Sequence, residues 1–175
     1  MLAEVLLAGA SLPILLLAAG WLACRRCRPM LRQLLAVANT LLLVGAGLFL
    51  LTAFCQLLGQ LRGGDEYAQY VVLNRLTGPY WFAYWGAALC NGGLPQVLWW
   101  PRLRRSVGAG VALVPFLLIE YWQSMLYAAL HRDYLPASWA MMRPDYRGLA
   151  LAGAGYLVVL AAGWLLTHRG LAARR

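Results

Sequence analysis

The sequence has no lysine, and its 15 basic residues are all arginine. Six acids balance them, leaving a formal net charge of +9 in 175 residues. Charged side chains make up only 12% of the chain, and hydrophobic ones 62%, with a mean hydropathy of +0.64. A soluble domain of this size has too little interior to hide that much apolar surface, so lipid is the expected solvent. Excess positive charge in a polar chain would suggest nucleic acid. Here the arginines stand in short clusters between apolar runs, and no basic stripe with stacking aromatics lies on a polar segment,. A low-complexity linker and a polar domain are also missing, so the chain reads as a single transmembrane domain over 1–175.

Several chemistries lack their signatures. There is no H-E-x-x-H, no Walker loop, no G-x-G-x-x-G and no Ser/His/Asp arrangement,. His131 and His168 fall at opposite ends of apolar runs and are not expected to ligate one haem,. Cys24 and Cys27 form a C-x-x-C beside Arg25, Arg26 and Arg28, but zinc or an iron–sulfur cluster needs more ligands nearby,. With Cys55 and Cys90 isolated in apolar runs, the cysteines read as unpaired small hydrophobes. No metal site is expected.

The apolar runs have the length of membrane crossings. They predict five transmembrane helices, at about 3–23, 33–58, 80–100, 107–130 and 149–167, in an all-α integral membrane fold,. The first run lacks a basic n-region and carries Glu4, so it reads as a retained helix rather than a signal peptide,. Arginine placement sets the orientation. Segments 24–32, 101–106 and 168–175 hold arginines and no acid, whereas 59–79 and 131–148 mix arginines with Asp65, Glu66, Asp133 and Asp145. Short basic loops are held inside. The expectation is an N-terminus outside, a C-terminus in the cytoplasm, and two longer outer loops rich in Tyr and Trp.

Glu120 is the sharpest chemical signal, because an ionised carboxylate within a membrane helix is costly. Glu120, Gln123, Ser124, Tyr127 and His131 fall on one stripe of a helix, climbing roughly 16 Å toward Arg132 and Asp133,. Such a stripe suits a proton path or the wall of a polar pocket; the plainer reading is hydrogen-bonded glue between helices. In the third run, Tyr80, Tyr84 and Asn91 share a face, and Gly92, Gly93 and Pro95 weaken the helix. A kink is expected there, with Asn91 or Gln96 satisfying the carbonyl that proline frees. The aromatic cluster Tyr80–Trp85 reads first as an interfacial belt.

Three stretches together carry a resemblance: Asn74–Trp85, then Cys90-Asn91 with Pro95-Gln96 and Leu98-Trp99, then Leu130–Trp139. They resemble the NrfD/polysulfide-reductase-type membrane subunits, most of all the C-terminal half of the quinol-oxidising NrfD-like subunit of bacterial alternative complex III. The resemblance covers about residues 33–168. It implies that four of the helices form an NrfD-like bundle in a respiratory quinol:electron-acceptor oxidoreductase of the bacterial inner membrane. It implies menaquinol as substrate, and partner subunits, an iron–sulfur protein and a multihaem cytochrome c, that carry the clusters and haem; this chain alone binds neither. Glu120 stands where the family carries an acid before the outer loop, though Tyr121 follows it where the family commonly has arginine.

On that basis Glu120, Gln123, Ser124, Tyr127, His131 and Asp133 are the expected proton path. Tyr80, Tyr84, Asn91, Gln96 and Arg132 are the expected quinone or pocket residues. Family members are more than twice as long, so two readings stand for the chain: half of a split subunit, or a reduced paralogue with a structural role. The rivals in function are a non-catalytic assembly subunit and a small proton-coupled transporter.

Overall fold

The structure, a computed structural model, describes residues 2–63, 65–78, 81–119, 122–123 and 146–172. Among these there is no strand. The order is α1 (Leu2–Leu7), a 3-10 turn (Ala8–Ala10), α2 (Ser11–Ala23), α3 (Arg28–Arg62), α4 (Glu66–Thr77), α5 (Trp81–Ala87), a π-helical turn (Ala88–Gly93), a 3-10 segment (Leu94–Trp99), α6 (Pro101–Arg104), α7 (Val107–Leu117) and α8 (Tyr146–Ala172). Three helical stretches are long and apolar enough to cross a membrane: Val5–Ala23, Arg28–Arg62 and Arg147–Leu165. Val107–Leu117 is a shorter apolar helix.

Helix α3 organises the fold. It starts with Pro29 in its first turn, where a missing N–H costs nothing, and stops where the Gly63 N–H bonds Gly59 O at 3.0 Å,. Its 35 residues span roughly 52 Å at 1.5 Å per residue,, against a hydrocarbon core of about 30 Å. The sequence anticipates only 33–58, because hydropathy marks the lipid-soluble part of a helix and not its polar ends. Polar side chains along α3 return to the backbone: Thr40 Oγ1 donates to Ala36 O at 2.8 Å, and Thr52 Oγ1 to Leu48 O at 2.9 Å.

The other helices pack on α3 through small residues, as expected where lipid removes the hydrophobic drive between helices. A Cβ on Gly45 would sit 2.7 Å from Leu6 Cβ, and one on Gly9 would strike Ala152 O of α8. The core joins Leu6 and Ile14, Leu35, Ala38 and Leu42 of α3, Leu113 and Leu117 of α7, and Tyr156 and Leu160 of α8. Tyr156 is fully buried and donates its hydroxyl proton to Ala38 O at 2.9 Å. Asn39, also fully buried, donates from Nδ2 to Arg104 O (2.9 Å) and Ser106 O (3.2 Å). That pair of bonds ties the turn before α7 onto α3.

The region 59–79, expected as a loop, contains the helix α4. Asp65 caps it, accepting from the Tyr67 N–H at 3.1 Å, with Glu66 in its first turn and Arg75 in its last. These placements suit the helix macrodipole. The run at 3–23 is interrupted by the 3-10 turn at Ala8–Ala10. The fourth run is described as α7 as far as Leu117, with Pro115 inside it.

Candidate functional site

The chain from Trp81 to Trp99 changes pitch twice, from α to π to 3-10. Pro95 lacks the N–H that an α-helix needs at that position. Gln96 compensates nearby: Nε2 donates to Gly92 O at 3.0 Å, and Oε1 accepts from Trp99 Nε1 at 2.8 Å. The helix break and the glutamine's service to the backbone are as the sequence suggests. A Cβ on Gly92 would collide with Leu50, so glycine lets the π turn lie directly on α3. π-bulges of this kind recur at functional sites.

The break also separates residues that a regular helix would align. Tyr84 and Asn91 are expected to share a face, but the widened turn between them takes more residues per revolution and moves Asn91 out of register. Asn91 is buried at 6% exposure within the π turn. Tyr84 instead lines a cavity of about 230 Å³ between α3, α4 and α5. Phe49, Ala53 and Leu57 of α3 and Val72 and Leu76 of α4 supply its apolar walls, and Gln56, Gln60, Arg75 and Tyr84 its polar groups. Trp85 closes α5 against α4, donating from Nε1 to Leu76 O at 3.2 Å, and its ring meets the Tyr84 ring edge-on at 5.7 Å between centroids. Gln96 lies outside this cavity, in an open hollow with Trp99 and Trp100.

Gln123 is brought against α5, since a Cβ on Gly86 would lie 3.4 Å from its Nε2. Tyr80, Glu120, Ser124, Tyr127, His131, Arg132 and Asp133 lie outside the described residues. The cavity therefore gathers one expected residue, Tyr84, with three that the sequence reading did not select. Gln56 and Gln60 are four apart in an apolar run, the spacing of one helix face. That was a usable signal. Arg75 was not legible as a neighbour of Tyr84 without the fold of α4 back along α3.

At the other end of α3, Cys24 and Cys27 face each other across the turn from α2, with sulfurs 2.7 Å apart as free thiols. The hydrogen bond from Cys27 lowers the Cys24 thiol below its ordinary pKa and, by the same contact, raises that of Cys27. Arg28 fixes the turn, donating from Nε to Trp21 O at 3.2 Å with its guanidinium 4.9 Å from the Trp21 ring centroid,. Among the described residues no three His, Cys, Asp or Glu side chains gather as a metal site. No protein-family model and no curated protein matches this chain.

Proposed function

We propose that the chain is an integral subunit of a respiratory quinol:electron-acceptor oxidoreductase of the alternative-complex-III type, in the bacterial cytoplasmic membrane. In this reading it crosses the membrane five times, with its N-terminus outside. One observation carries the reading: the amphiphilic cavity at the end of α3 opposite the basic turns, where Tyr84 and Arg75 stand over an apolar floor. Most small-molecule sites are apolar clefts with a few directed polar groups. At about 230 Å³ the cavity takes a quinol ring and leaves the isoprenoid tail to lipid, being below the roughly 300–1,000 Å³ of pockets that enclose whole ligands.

The chemistry then divides as follows. Tyr84 and Arg75 hydrogen-bond the quinol oxygens, and Gln56 and Gln60 complete the polar rim. Oxidation of one quinol releases two protons and two electrons. Glu120 accepts one proton and passes it along Gln123, Ser124 and Tyr127 to His131 and Asp133, with Arg132 at the outer rim, and the other leaves the cavity directly to the outer aqueous phase. An iron–sulfur cluster held by one partner protein would take up the two electrons, and a multihaem cytochrome c would receive them in turn. The resemblance in 74–85, 90–99 and 130–139 supports this assignment, as does the break at Ala88–Gly93, a form common at functional sites,.

The test is quinol turnover in membranes carrying Glu120→Gln or Tyr84→Phe. Glu120→Gln is expected to slow turnover with the complex intact, and Tyr84→Phe to raise the quinol KM by roughly 5- to 10-fold, the loss of one hydrogen bond of about 1–1.5 kcal/mol. Wild-type kinetics in both variants would remove the proposed role. A second reading, a packing subunit without catalysis, is favoured by the exposed apolar faces: only 11% of the apolar stretch of α8 is buried. It predicts that deletion disperses the partner subunits while Glu120→Gln is silent.

A further inference from the structure

We infer that the groove between α2 and α7 binds one anionic phospholipid, its phosphate held by Arg32, Arg102 and Arg105. The inference rests on the membrane placement proposed above and is independent of quinol chemistry. The groove measures about 710 Å³ and brings together residues from the end of α2, the start of α3 and the turn between α6 and α7. Three arginines from two separate segments therefore line one groove. All three residues are exposed.

The segments that carry them supply no acid to neutralise them. No acid occurs in 5–64 or in 67–119, the segments that build the groove. Like charges held together repel one another unless an anion sits between them, and arginine forks suit phosphate oxygens. The turn bearing Arg102 and Arg105 is also held in place. Asn39 bonds Arg104 O and Ser106 O from inside the bundle, which keeps the rim from swinging away.

The apolar lining points to a lipid as the source of the phosphate. The rest of the groove is lined by apolar residues that include Leu15, Leu22 and Val111, together with Trp21. Leu15 is 42% and Leu22 68% exposed, an open apolar track for an acyl chain. Tryptophan at the polar boundary and arginine beyond it is the arrangement of a membrane interface. Basic pockets between helices on the cytoplasmic side are suited to anionic headgroups. A free phosphate would use the arginines but leave the track uncovered.

The experiment is native mass spectrometry and thermal unfolding of the full chain in mild detergent, with phosphatidylglycerol, phosphatidylcholine or inorganic phosphate added. Phosphatidylglycerol is expected to bind as one retained copy and to raise the unfolding temperature more than the other two. Each arginine near an anionic lipid contributes about a 5-fold affinity factor. Arg102→Gln with Arg105→Gln should therefore weaken binding roughly 25-fold, and Arg62→Gln at the far end of α3 should leave it unchanged. If the double variant does not fold, Arg32→Gln alone should weaken binding about 5-fold. Equal binding of phosphatidylglycerol and phosphatidylcholine, equal stabilisation by inorganic phosphate, or an equal loss in Arg62→Gln would overturn the site. Carbonate washing of membranes separates the two failures. Release of the chain would remove the membrane placement along with the lipid site, whereas an integral chain without lipid preference removes the lipid site alone.

Discussion

Replacing Gly110 by alanine should destabilise the protein, and removing Asn39 should abolish that effect. Gly110 lies one turn into α7, directly against the Asn39 amide, and a Cβ there would stand 2.5 Å from Asn39 Oδ1. Both residues are buried, so neither can swing aside into lipid. Overpacking of this kind costs about 1–3 kcal/mol, more than the ~1 kcal/mol that alanine gains over glycine within a helix. Gly110→Ala alone is therefore expected to cost up to about 2 kcal/mol. Asn39→Ala removes two donated bonds, to Arg104 O and Ser106 O, but also an Oδ1 that is buried without a partner. Hydrogen bonds between membrane helices average near 0.6 kcal/mol, with about 1.7 the largest. The net cost of Asn39→Ala should be about 1–2 kcal/mol. In that background the methyl added by Gly110→Ala occupies space the amide left, and the cost of the substitution should fall to zero or change sign. The coupling, about 1–3 kcal/mol, is read as a double-mutant cycle from reversible unfolding in mixed micelles, followed by loss of helical circular dichroism. Additive effects within about 0.5 kcal/mol, the behaviour of distant sites, would refute the packing of α7 on α3.

Two further outcomes test other parts of the structure. Tyr156→Phe deletes the hydroxyl that reaches Ala38 O at 2.9 Å in the fully buried core, so the midpoint of unfolding should fall by about 1 kcal/mol equivalent, and an unchanged midpoint would argue against the contact between α8 and α3,. Cys24, with its pKa lowered by the Cys27 hydrogen bond, holds more thiolate near neutrality than an ordinary thiol,. Its alkylation by iodoacetamide should outpace that of Cys55 at pH 7, and Cys27→Ala, which leaves no donor, should move the pH midpoint of the Cys24 reaction upward; a midpoint that stays put would show that the sulfur contact does not form.

Much of the local structure was legible because its cause is local. Leucine- and alanine-rich runs near 20 residues marked Val5–Ala23, the middle of Arg28–Arg62 and Arg147–Leu165 as membrane-length helices. Gly92, Gly93 and Pro95 marked the break, since the backbone ladder fails where a proline lacks its N–H,. Helix α4 was missed although Asp65, Glu66 and Arg75 carry the cap and charge pattern of its two ends. Hydropathy weighed that segment as a loop, and its length and aromatics suited an interface. Of the four polar groups in the candidate pocket, one was legible. Tyr84 stood out as an aromatic in a familiar motif, whereas Gln56 and Gln60 looked like polar interruptions near the end of a long apolar helix.

The sequence by itself determined the solvent and the long apolar helices: composition demands lipid, period and length demand helices, and a Gly–Pro cluster breaks one of them. It also distributed the arginines, and so the basic ends. Only the tertiary structure decided which distant side chains meet. Tyr84 lines one cavity with Gln56, Gln60 and Arg75 because α4 folds back along α3. Asn39 reaches Arg104 and Ser106, and Tyr156 reaches Ala38, because glycine and alanine let the backbones approach. Those pairings depend on helix register and close contact, which hydrophobic runs of nearly uniform leucine and alanine leave unspecified until the helices pack.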